Sequence, residues 1–258
     1  MSFGRERNRA VYLHRQVGKL RMLRSPAAVI LERGEVHVWF ARLDRTPARL
    51  TRMRTILNPD ETARANRFFM DVHRNRFIAA RALLRDLIAG YLAQPPMAIR
   101  FAYNEWGKPA LASGFAAHDL RFNLSHSQDL AMYAFALERE VGVDLEIIRG
   151  EVAHQRLAAK LFSPLEVEAL LALPLEHQPR AFFNCCTRKE AYVKARGQGL
   201  SIELKSFDVS IRSGEPAEIM RGVDRASWSM YSFEPAPDCV SALVVQGHEL
   251  RVADPRWL

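Results

Sequence analysis

A single segment near residue 190 constrains the fold of this chain more than any other stretch. Phe182, Cys186 and Val193 fall about one helical turn apart, so this segment can bury one face of a helix. Gly197 and Gly199 follow, and glycine is the residue that most readily ends a helix. The spacing therefore predicts a long helix that ends before Gly197.

Glu190 and Lys194 lie four residues apart on one face of this helix. Seen alone, such a pair is usually a solvated ion pair that stabilises a helix by about 0.2–0.5 kcal/mol. Residues 142–147 add to it, because they read as a strand in which Asp144 and Glu146 share one face. Three carboxylates that can converge favour a hard divalent cation. With few protein oxygens and space for water or phosphate, Mg²⁺ fits better than a caged Ca²⁺.

Length and composition allow a hydrophobic core of good size. The chain has 258 residues, 48% of them hydrophobic, which suits one large domain or two of about a hundred residues each. Its longest apolar runs are too short to cross a bilayer, and its basic N terminus lacks the apolar core of a secretion signal. We therefore expect a cytoplasmic protein that does not associate with a membrane.

The net charge of +8 is distributed unevenly along the chain. Residues 1–33 hold eight Lys or Arg and two acidic residues, residues 34–110 hold thirteen and seven, and residues 111–258 hold sixteen and twenty. A basic first half and an acidic second half suit a ligand that is polyanionic at one end and bound through a metal at the other. This asymmetry makes a nucleic-acid-binding stripe a weaker interpretation, so we expect no nucleic acid partner.

Cysteine and histidine patterns point to neither a disulfide framework nor a histidine-bound metal. The three cysteines include an adjacent pair, Cys185 and Cys186, and have no CxxC spacing. The eight histidines form no HxH or HExxH pattern. The chain also lacks the glycine motifs of Rossmann and P-loop nucleotide sites.

The N-terminal half begins with a basic segment, a strand and two helices. Residues 1–33 read as a flexible basic arm, and residues 36–43 as the first strand. A cap residue followed by proline opens a helix that we extend over residues 58–69, and a second helix follows over residues 74–92. Their arginines are either exposed helical side chains, the commoner case, or ligands of phosphate groups. These candidates are Arg64, Arg76, Arg81 and Arg85.

Two later stretches offer polar side chains to a ligand. Lys108 stands in a turn between glycine and proline. Residues 122–127 alternate apolar and polar side chains and read as a strand that runs into a loop presenting Ser125, His126 and Ser127. A satisfied turn with hydroxyl caps is an equal alternative for this loop.

Further strands and a short helix complete the prediction. Residues 130–137 and 141–147 read as two strands paired around a short turn, which would hold Asp144 and Glu146 on a rigid element. The sequence Ser163-Pro164-Leu165-Glu166 is a capping box that opens a helix. Strands are also predicted over 206–211, 228–233 and 239–246.

Four motifs in this order closely resemble those of the Sfp-type 4′-phosphopantetheinyl transferases. They are Gly107-Lys108-Pro109, FNLSHS at 122–127, GVDLE at 142–146 and KEAYVK at 189–194. Each motif is weak alone, but four in the right order at plausible spacing form a specific signature. The resemblance covers residues 36–245.

This resemblance implies an α/β (α+β) fold built as a pseudo-dimer of two similar subdomains. Each would be a small antiparallel sheet packed on a long helix, with the active site in the cleft between them. We place the N-terminal subdomain at residues 34–139 and the C-terminal subdomain, with the metal site, at residues 140–250. The basic arm at 1–33 and a tail at 251–258 lie outside, and the chain is expected to be a monomer with internal pseudo-two-fold symmetry.

The implied reaction transfers 4′-phosphopantetheine from coenzyme A to a serine of an apo acyl, peptidyl or aryl carrier protein, with Mg²⁺. Its products are the holo carrier protein and adenosine 3′,5′-bisphosphate, and fatty acid, polyketide and nonribosomal peptide pathways all remain open. By this resemblance Asp144, Glu146 and Glu190 would hold the metal. Glu190 would take the serine proton, directly or through water, and Lys194 would neutralise the departing phosphate.

The same resemblance implies which side chains bind coenzyme A. They are Arg64, Arg81, Lys108, Ser125, His126 and the metal ligand Asp144. Arg76 is a rival to Arg81, because the match at Arg81 rests on a short local context. Cys186 stands where the family usually has Trp, from which we expect altered packing behind the metal and not lost chemistry. The alternative function is a catalytically silent module that binds coenzyme A or a carrier protein, although the presence of all three carboxylates argues against it.

Overall fold

The computed structural model describes residues 11–12, 29–150, 154–222 and 224–258. Most of the predicted basic arm over residues 1–33 lies outside the described residues. The α-helices are α1 (Pro47–Arg54), α2 (Pro59–Asn66), α3 (Asp71–Leu92), α4 (His154–Leu161), α5 (Pro164–Leu171) and α6 (Gln178–Arg196). Short 3₁₀ helices lie at Pro96–Ala98, Ser113–His118, Leu175–His177, Gly199–Ser201, Leu204–Ser206 and Arg225–Ser227.

The strands, in chain order, are short at the termini and longer in the middle of each sheet. They are β1 (Val11–Tyr12), β2 (Glu35–Arg42), β3 (Phe101–Tyr103), β4 (Pro109–Leu111), β5 (Leu120–Ser127), β6 (Leu130–Leu137), β7 (Val141–Ile147), β8 (Asp208–Val209), β9 (Ile219–Arg221), β10 (Trp228–Ala236), β11 (Cys239–Gln246), β12 (Arg251–Val252) and β13 (Arg256–Trp257).

The described chain divides into two compact units. The N-unit comprises residues 29–138 and 250–258, and the C-unit comprises residues 139–249 together with β1. Each unit combines an antiparallel sheet with one long helix, α3 in the N-unit and α6 in the C-unit. This confirms the mixed α/β fold predicted from the sequence.

The N-unit sheet is built around β6. This strand pairs antiparallel with β2 on one side and β5 on the other. Its residues from Leu130 to Ala136 are all buried, which is why an almost continuous apolar run forms a strand here. The last residues, which the sequence analysis sets apart as a tail, supply β12 and β13, and both pair in parallel with the outer edge of β2.

Helix α3 covers the N-unit sheet. Its side chains Ile78, Leu84 and Ile88 are fully buried and belong to the same core as Tyr133 and Phe135 of β6. The Tyr133 hydroxyl donates a hydrogen bond of 3.0 Å to the carbonyl of Ala80 on this helix, so the one polar atom of a buried ring is satisfied. The helix ends at Ala93, which adopts a left-handed conformation as its C-cap.

In the C-unit the strands are ordered β1, β10, β11 and β7. Strand β1 is parallel to β10, and the remaining neighbours are antiparallel. Helix α6 buries Ala191, Tyr192 and Ala195 in one core with residues of β11. It ends at Gly197, whose φ of 68° is left-handed, so the predicted stop is confirmed.

The predicted pairing of residues 130–137 with 141–147 is wrong. Both edges of β6 are occupied by β2 and β5, and β7 pairs with β11 instead. The intervening Glu138-Arg139-Glu140 offers no Asn-Gly or Gly-rich pair of the kind that forms a tight hairpin. The chain passes from the N-unit to the C-unit at this point.

Two predicted boundaries also differ from the structure. Strand β5 continues through Ser127, so Ser125 and His126 are ladder residues opposite Met132 and Ala131 and do not lie in a loop. Helix α2 ends at Asn66, and residues 67–70 form the connection to α3. No helix among the described residues is both long and apolar enough to span a membrane.

Candidate active site

Strand β7 holds two of the predicted site carboxylates in a regular ladder. Asp144 lies opposite Ala242 of β11, and Glu146 lies opposite Val240. Asp144 is buried and Glu146 is half-buried. The rigid element expected for these acids therefore exists, although its pairing partner is β11.

Gly142 lets helix α6 approach this strand closely. A Cβ atom at position 142 would overlap the carbonyl oxygen of Ala191 and the backbone nitrogen of Ala195. Only glycine fits against the helix backbone at this point. The contact falls beside Glu190 in sequence and two residues before Asp144, and so brings these two acids toward each other.

Lys194 and Asp144 form an ion pair at the contact between α6 and β7. The Lys194 Nζ donates a hydrogen bond of 2.6 Å to the Asp144 Oδ1. Lys194 is partly exposed to solvent, whereas the Asp144 carboxylate is nearly covered. The lysine charge is thus available at the surface of this carboxylate group.

Glu190 occupies a position that disfavours its negative charge. Its pKa is raised above the ordinary value, first because the side chain is removed from water and then because Asp144 repels it. Glu146 raises this pKa further, while Lys194 lowers it. The pKa of the neighbouring Cys186 thiol is also raised, by burial and then by Asp144, Glu146 and Glu190. The structure therefore brings the three predicted carboxylates and Lys194 within electrostatic reach of one another.

No group of three or more His, Cys, Asp or Glu side chains in the described part of the chain is arranged to hold a metal ion. The ammonium group of Lys194 lies on one of the Asp144 oxygens that a cation would use. The predicted metal site over Asp144, Glu146 and Glu190 therefore stays a prediction.

Lys189, the residue before Glu190, has a different environment. Its Nζ contacts the Glu166 Oε1 at 2.8 Å and donates to the carbonyls of Leu204 at 2.6 Å and Phe207 at 2.5 Å. Glu166 in turn accepts hydrogen bonds from the backbone nitrogens of Ser163 and Val209, each at 2.9 Å. All three ammonium hydrogens thus have acceptors, and this pair joins α6 to the start of α5. Sequence reasoning missed this role, although the capping box at Ser163 was its visible signal.

The N-unit contains a cavity of about 660 Å³ that two of the predicted coenzyme A ligands help to line. Its lining residues include Arg64 and Arg81 together with Arg67, Phe68 and Tyr103. Three guanidinium groups around one cavity favour an anionic ligand. Lys108, Ser125 and His126 are not among the residues that line it.

Arg81 is buried within a network that the sequence did not reveal. Its Nε lies 2.9 Å from the Glu61 Oε1, its Nη2 donates to the Tyr103 hydroxyl, and its guanidinium lies 4.8 Å from the centre of the Phe101 ring. Burial lowers the pKa of Arg81. Arg85, one turn further along α3, is fully buried and donates a bond of 2.7 Å to the Glu61 Oε2. Glu61 therefore joins two arginines, one facing the cavity and one inside the core.

The remaining predicted ligands lie elsewhere in the N-unit. Arg76 pairs with Asp129 at 2.8 Å, beside the turn that joins β5 to β6. Ser125 and His126 lie on β5 near that turn, with Ser125 buried and His126 exposed. Lys108 is in the turn before β4, where its backbone nitrogen donates to the Asn104 side chain at 2.8 Å. Arg76 and Arg81, the rivals for coenzyme A, thus occupy separate places.

Comparison with known proteins covers both units. The sequence pattern of the 4′-phosphopantetheinyl transferase superfamily matches residues 140–245, and that of the 4′-phosphopantetheinyl transferase N-terminal region matches residues 44–138. The structure of Thermotoga maritima holo-[acyl-carrier-protein] synthase (AcpS) is a distant likeness, with a TM-score of 0.33 and 19% identity over 42% of this chain and 62% of that chain. So low a score supports no inference about this protein.

Several curated proteins align with most of the chain. The 4′-phosphopantetheinyl transferase HetI of Nostoc sp. is 40% identical over 225 residues, covering 87% of this chain and 93% of HetI. The 4′-phosphopantetheinyl transferase Sfp of Bacillus subtilis is 29% identical over 62% of this chain and 69% of Sfp, and AcpT of Salmonella typhi is 38% identical over 55% and 68%. Given these matches, and the carboxylates and lysine that meet where α6 contacts β7, this chain belongs to the 4′-phosphopantetheinyl transferase superfamily.

Proposed function

We propose that this enzyme transfers the 4′-phosphopantetheine group of coenzyme A to a serine of an apo carrier protein. The products are the holo carrier protein and adenosine 3′,5′-bisphosphate. The observation that carries the proposal is the meeting of Asp144, Glu146, Glu190 and Lys194 where α6 contacts β7. A cluster of carboxylates with a raised pKa beside a lysine is typical of a catalytic site and is an unfavourable arrangement for stability alone.

In the proposed reaction the serine oxygen forms a bond to the phosphorus that carries pantetheine. The bond from that phosphorus to the bridging oxygen of the pyrophosphate breaks, and adenosine 3′,5′-bisphosphate leaves with the electron pair. Glu190 accepts the serine proton, and its raised pKa makes it a stronger base than an ordinary glutamate. Lys194 neutralises the negative charge that develops on the departing phosphate.

The donor set in the C-unit fits a magnesium ion. Asp144, Glu146 and Glu190 supply carboxylate oxygens, the ligands that Mg²⁺ prefers, and their mutual repulsion raises the pKa of Glu190. A bound divalent cation would offset that repulsion and would supply positive charge to the pyrophosphate. We therefore propose that these three side chains hold Mg²⁺.

Coenzyme A is proposed to bind through its phosphates. The ligands are Arg64, Arg81, Lys108, Ser125 and His126, with Asp144 contributing through the metal. Arg81 has the strongest support among the arginines because it lines the cavity with Arg64, whereas Arg76 already has Asp129 as its partner. We further propose that the protein acts in the cytoplasm as a monomer, with no nucleic acid or membrane partner.

The test is the intact mass of a panel of apo acyl, peptidyl and aryl carrier proteins incubated with the enzyme, coenzyme A and Mg²⁺. We expect at least one carrier to gain one phosphopantetheine, and we expect EDTA to abolish the gain. If no carrier is modified while coenzyme A still binds, the protein is the silent binding module. Holo carriers in the same panel are the matched control, because their serine is already modified.

A second measurement separates the two arginine candidates. Arg81→Ala is expected to raise the KM for coenzyme A more than it lowers kcat, and Arg76→Ala is expected to change that KM less. Dephospho-coenzyme A tests the 3′-phosphate contact: wild type should have a higher KM for it than for coenzyme A. The opposite ranking of the two variants would assign the phosphate to Arg76.

A further inference from the structure

The connection between α2 and α3 presents large apolar side chains to solvent. Phe69 is 99% exposed, and its neighbours Met70 and Val72 are also exposed. Scattered apolar residues on a surface are ordinary, but a fully exposed phenylalanine beside two further apolar side chains forms a small apolar patch. We call residues 67–72 the Phe69 loop.

The Phe69 loop is held in one conformation. The Phe68 ring packs against Phe77 of α3, with ring centres 5.5 Å apart. Arg74 donates a hydrogen bond of 2.9 Å to the Phe68 carbonyl and pairs with Asp71. The exposure of Phe69 therefore belongs to a fixed loop, which lowers the entropy cost of binding a partner.

The border of this apolar patch is positively charged. Arg64 and Arg67 are exposed, and both line the cavity of the N-unit with Phe68. The charge of Asp71 is balanced by Arg74, which leaves Asp60 as the exposed acid at the cavity. An apolar patch bordered by guanidinium groups is complementary to an apolar side chain flanked by carboxylates.

We propose that the Phe69 loop docks the carrier protein through an apolar side chain of the carrier that carboxylates flank. This inference rests on the proposed function. The loop shares Arg67 and Phe68 with the cavity that Arg64 and Arg81 line, so a partner bound to Phe69 lies beside the proposed phosphate ligands of coenzyme A. A carrier protein is the macromolecular substrate that must come to those phosphates.

The test uses the carrier that wild type modifies fastest, varied at saturating coenzyme A. Phe69→Ala is expected to raise the KM for that carrier about tenfold, the size of effect typical of an aromatic anchor, with kcat and the KM for coenzyme A unchanged. The melting temperature should stay at the wild-type value because the side chain packs against nothing. Leu175→Ala is the matched control: this leucine of the C-unit is 73% exposed, and its removal should leave every parameter unchanged.

A charge variant tests the border of the patch. Arg67→Glu is expected to raise the KM for the carrier by a factor that shrinks as salt is added, because the interaction of exposed charges is screened. A factor that does not change with salt would contradict the charged border.

The outcomes separate this proposal from the proposed function. If wild type modifies carriers and Phe69→Ala keeps the wild-type KM for them, the docking proposal is wrong and the function stands. If wild type modifies no carrier, the function is wrong and the docking proposal falls with it. If light scattering finds a wild-type dimer that Phe69→Ala converts to a monomer, the loop binds a second copy of this chain and carrier docking is overturned.

Discussion

Lys189 and Glu190 are neighbours on α6, yet they lie in two opposite kinds of charged environment. Lys189 and its partner Glu166 are 1% and 2% exposed, and the ammonium group has a carboxylate and two carbonyls as acceptors. Glu190 is half-buried beside two other carboxylates, with Lys194 as the cation that lowers its pKa. The first environment balances each charge, whereas the second accumulates negative charge.

The difference shows how a single helix can serve stability with one side and chemistry with the other. A buried pair whose hydrogen bonds are all made holds elements together, and breaking it leaves an uncompensated charge in the core. A group of like charges is maintained only if the surrounding fold keeps it, and such groups are concentrated at functional sites. The two residues therefore predict different consequences when each is replaced.

The largest effect on stability is expected from Lys189→Met. This change leaves the Glu166 carboxylate buried without its cation, and we expect the free energy of unfolding to fall by about 3–5 kcal/mol. Urea unfolding followed by circular dichroism measures it. The double variant Lys189→Met with Glu166→Gln should recover part of the loss, and a single variant within about 1 kcal/mol of wild type would mean that the pair is not structural.

Glu190→Gln should have the opposite pattern. We expect phosphopantetheine transfer to fall by at least about 100-fold because the proposed general base is lost. The free energy of unfolding in EDTA should stay the same or rise, because the repulsion from Asp144 is removed. Undiminished transfer, or a loss of stability like that of Lys189→Met, would contradict the distinction between the two environments.

The same variant gives a prediction about pH. The pKa of Glu190 in the folded protein is raised above its ordinary value of 4.5, so the folded state binds more protons than the unfolded state between 4.5 and the raised pKa. Stability from this group is thus fully present below pH 4.5 and is lost as pH rises through the folded pKa. We expect wild type to lose stability relative to Glu190→Gln over that interval when both unfold in EDTA. A difference that is constant with pH would show that Glu190 titrates normally.

The smallest effect is expected at an exposed pair that serves as a baseline. Arg33 and Glu138 pair at the surface of the N-unit with side chains 77% and 41% exposed. Arg33→Ala should change the free energy of unfolding by less than about 1 kcal/mol and leave transfer unchanged, since water and salt screen such pairs. A larger loss would indicate that exposure is a poor guide to the worth of these ion pairs.

Local sequence patterns predicted most of the elements near the site. The apolar spacing of the 182–196 segment and the glycine that follows it predicted α6, which begins four residues earlier than expected. Alternation predicted β7 and placed Asp144 and Glu146 on one face, and the apolar run over residues 130–137 predicted β6. These patterns succeed because helix and strand periodicities depend on residues that are close in sequence.

Features that depend on distant residues were not predictable in this way. The partner of β7 is β11, about a hundred residues further along the chain, and the sequence favoured the adjacent strand instead. Gly142 read as an ordinary strand residue until α6 was seen against it. Arg85 and Glu61 read as surface charges, but they are buried together because α2 packs on α3.

The sequence by itself determined which segments form helices and strands, where the long helix stops and which family's motifs the chain carries. Only the tertiary structure decided which charges are neutralised: Lys189 by Glu166 in the core, Arg85 by Glu61, and Glu190 only in part by Lys194. The physical reason is that periodicity is a property of neighbouring residues. Burial and ion pairing instead depend on which distant segments come together, because the energy of a charge depends on everything that surrounds it.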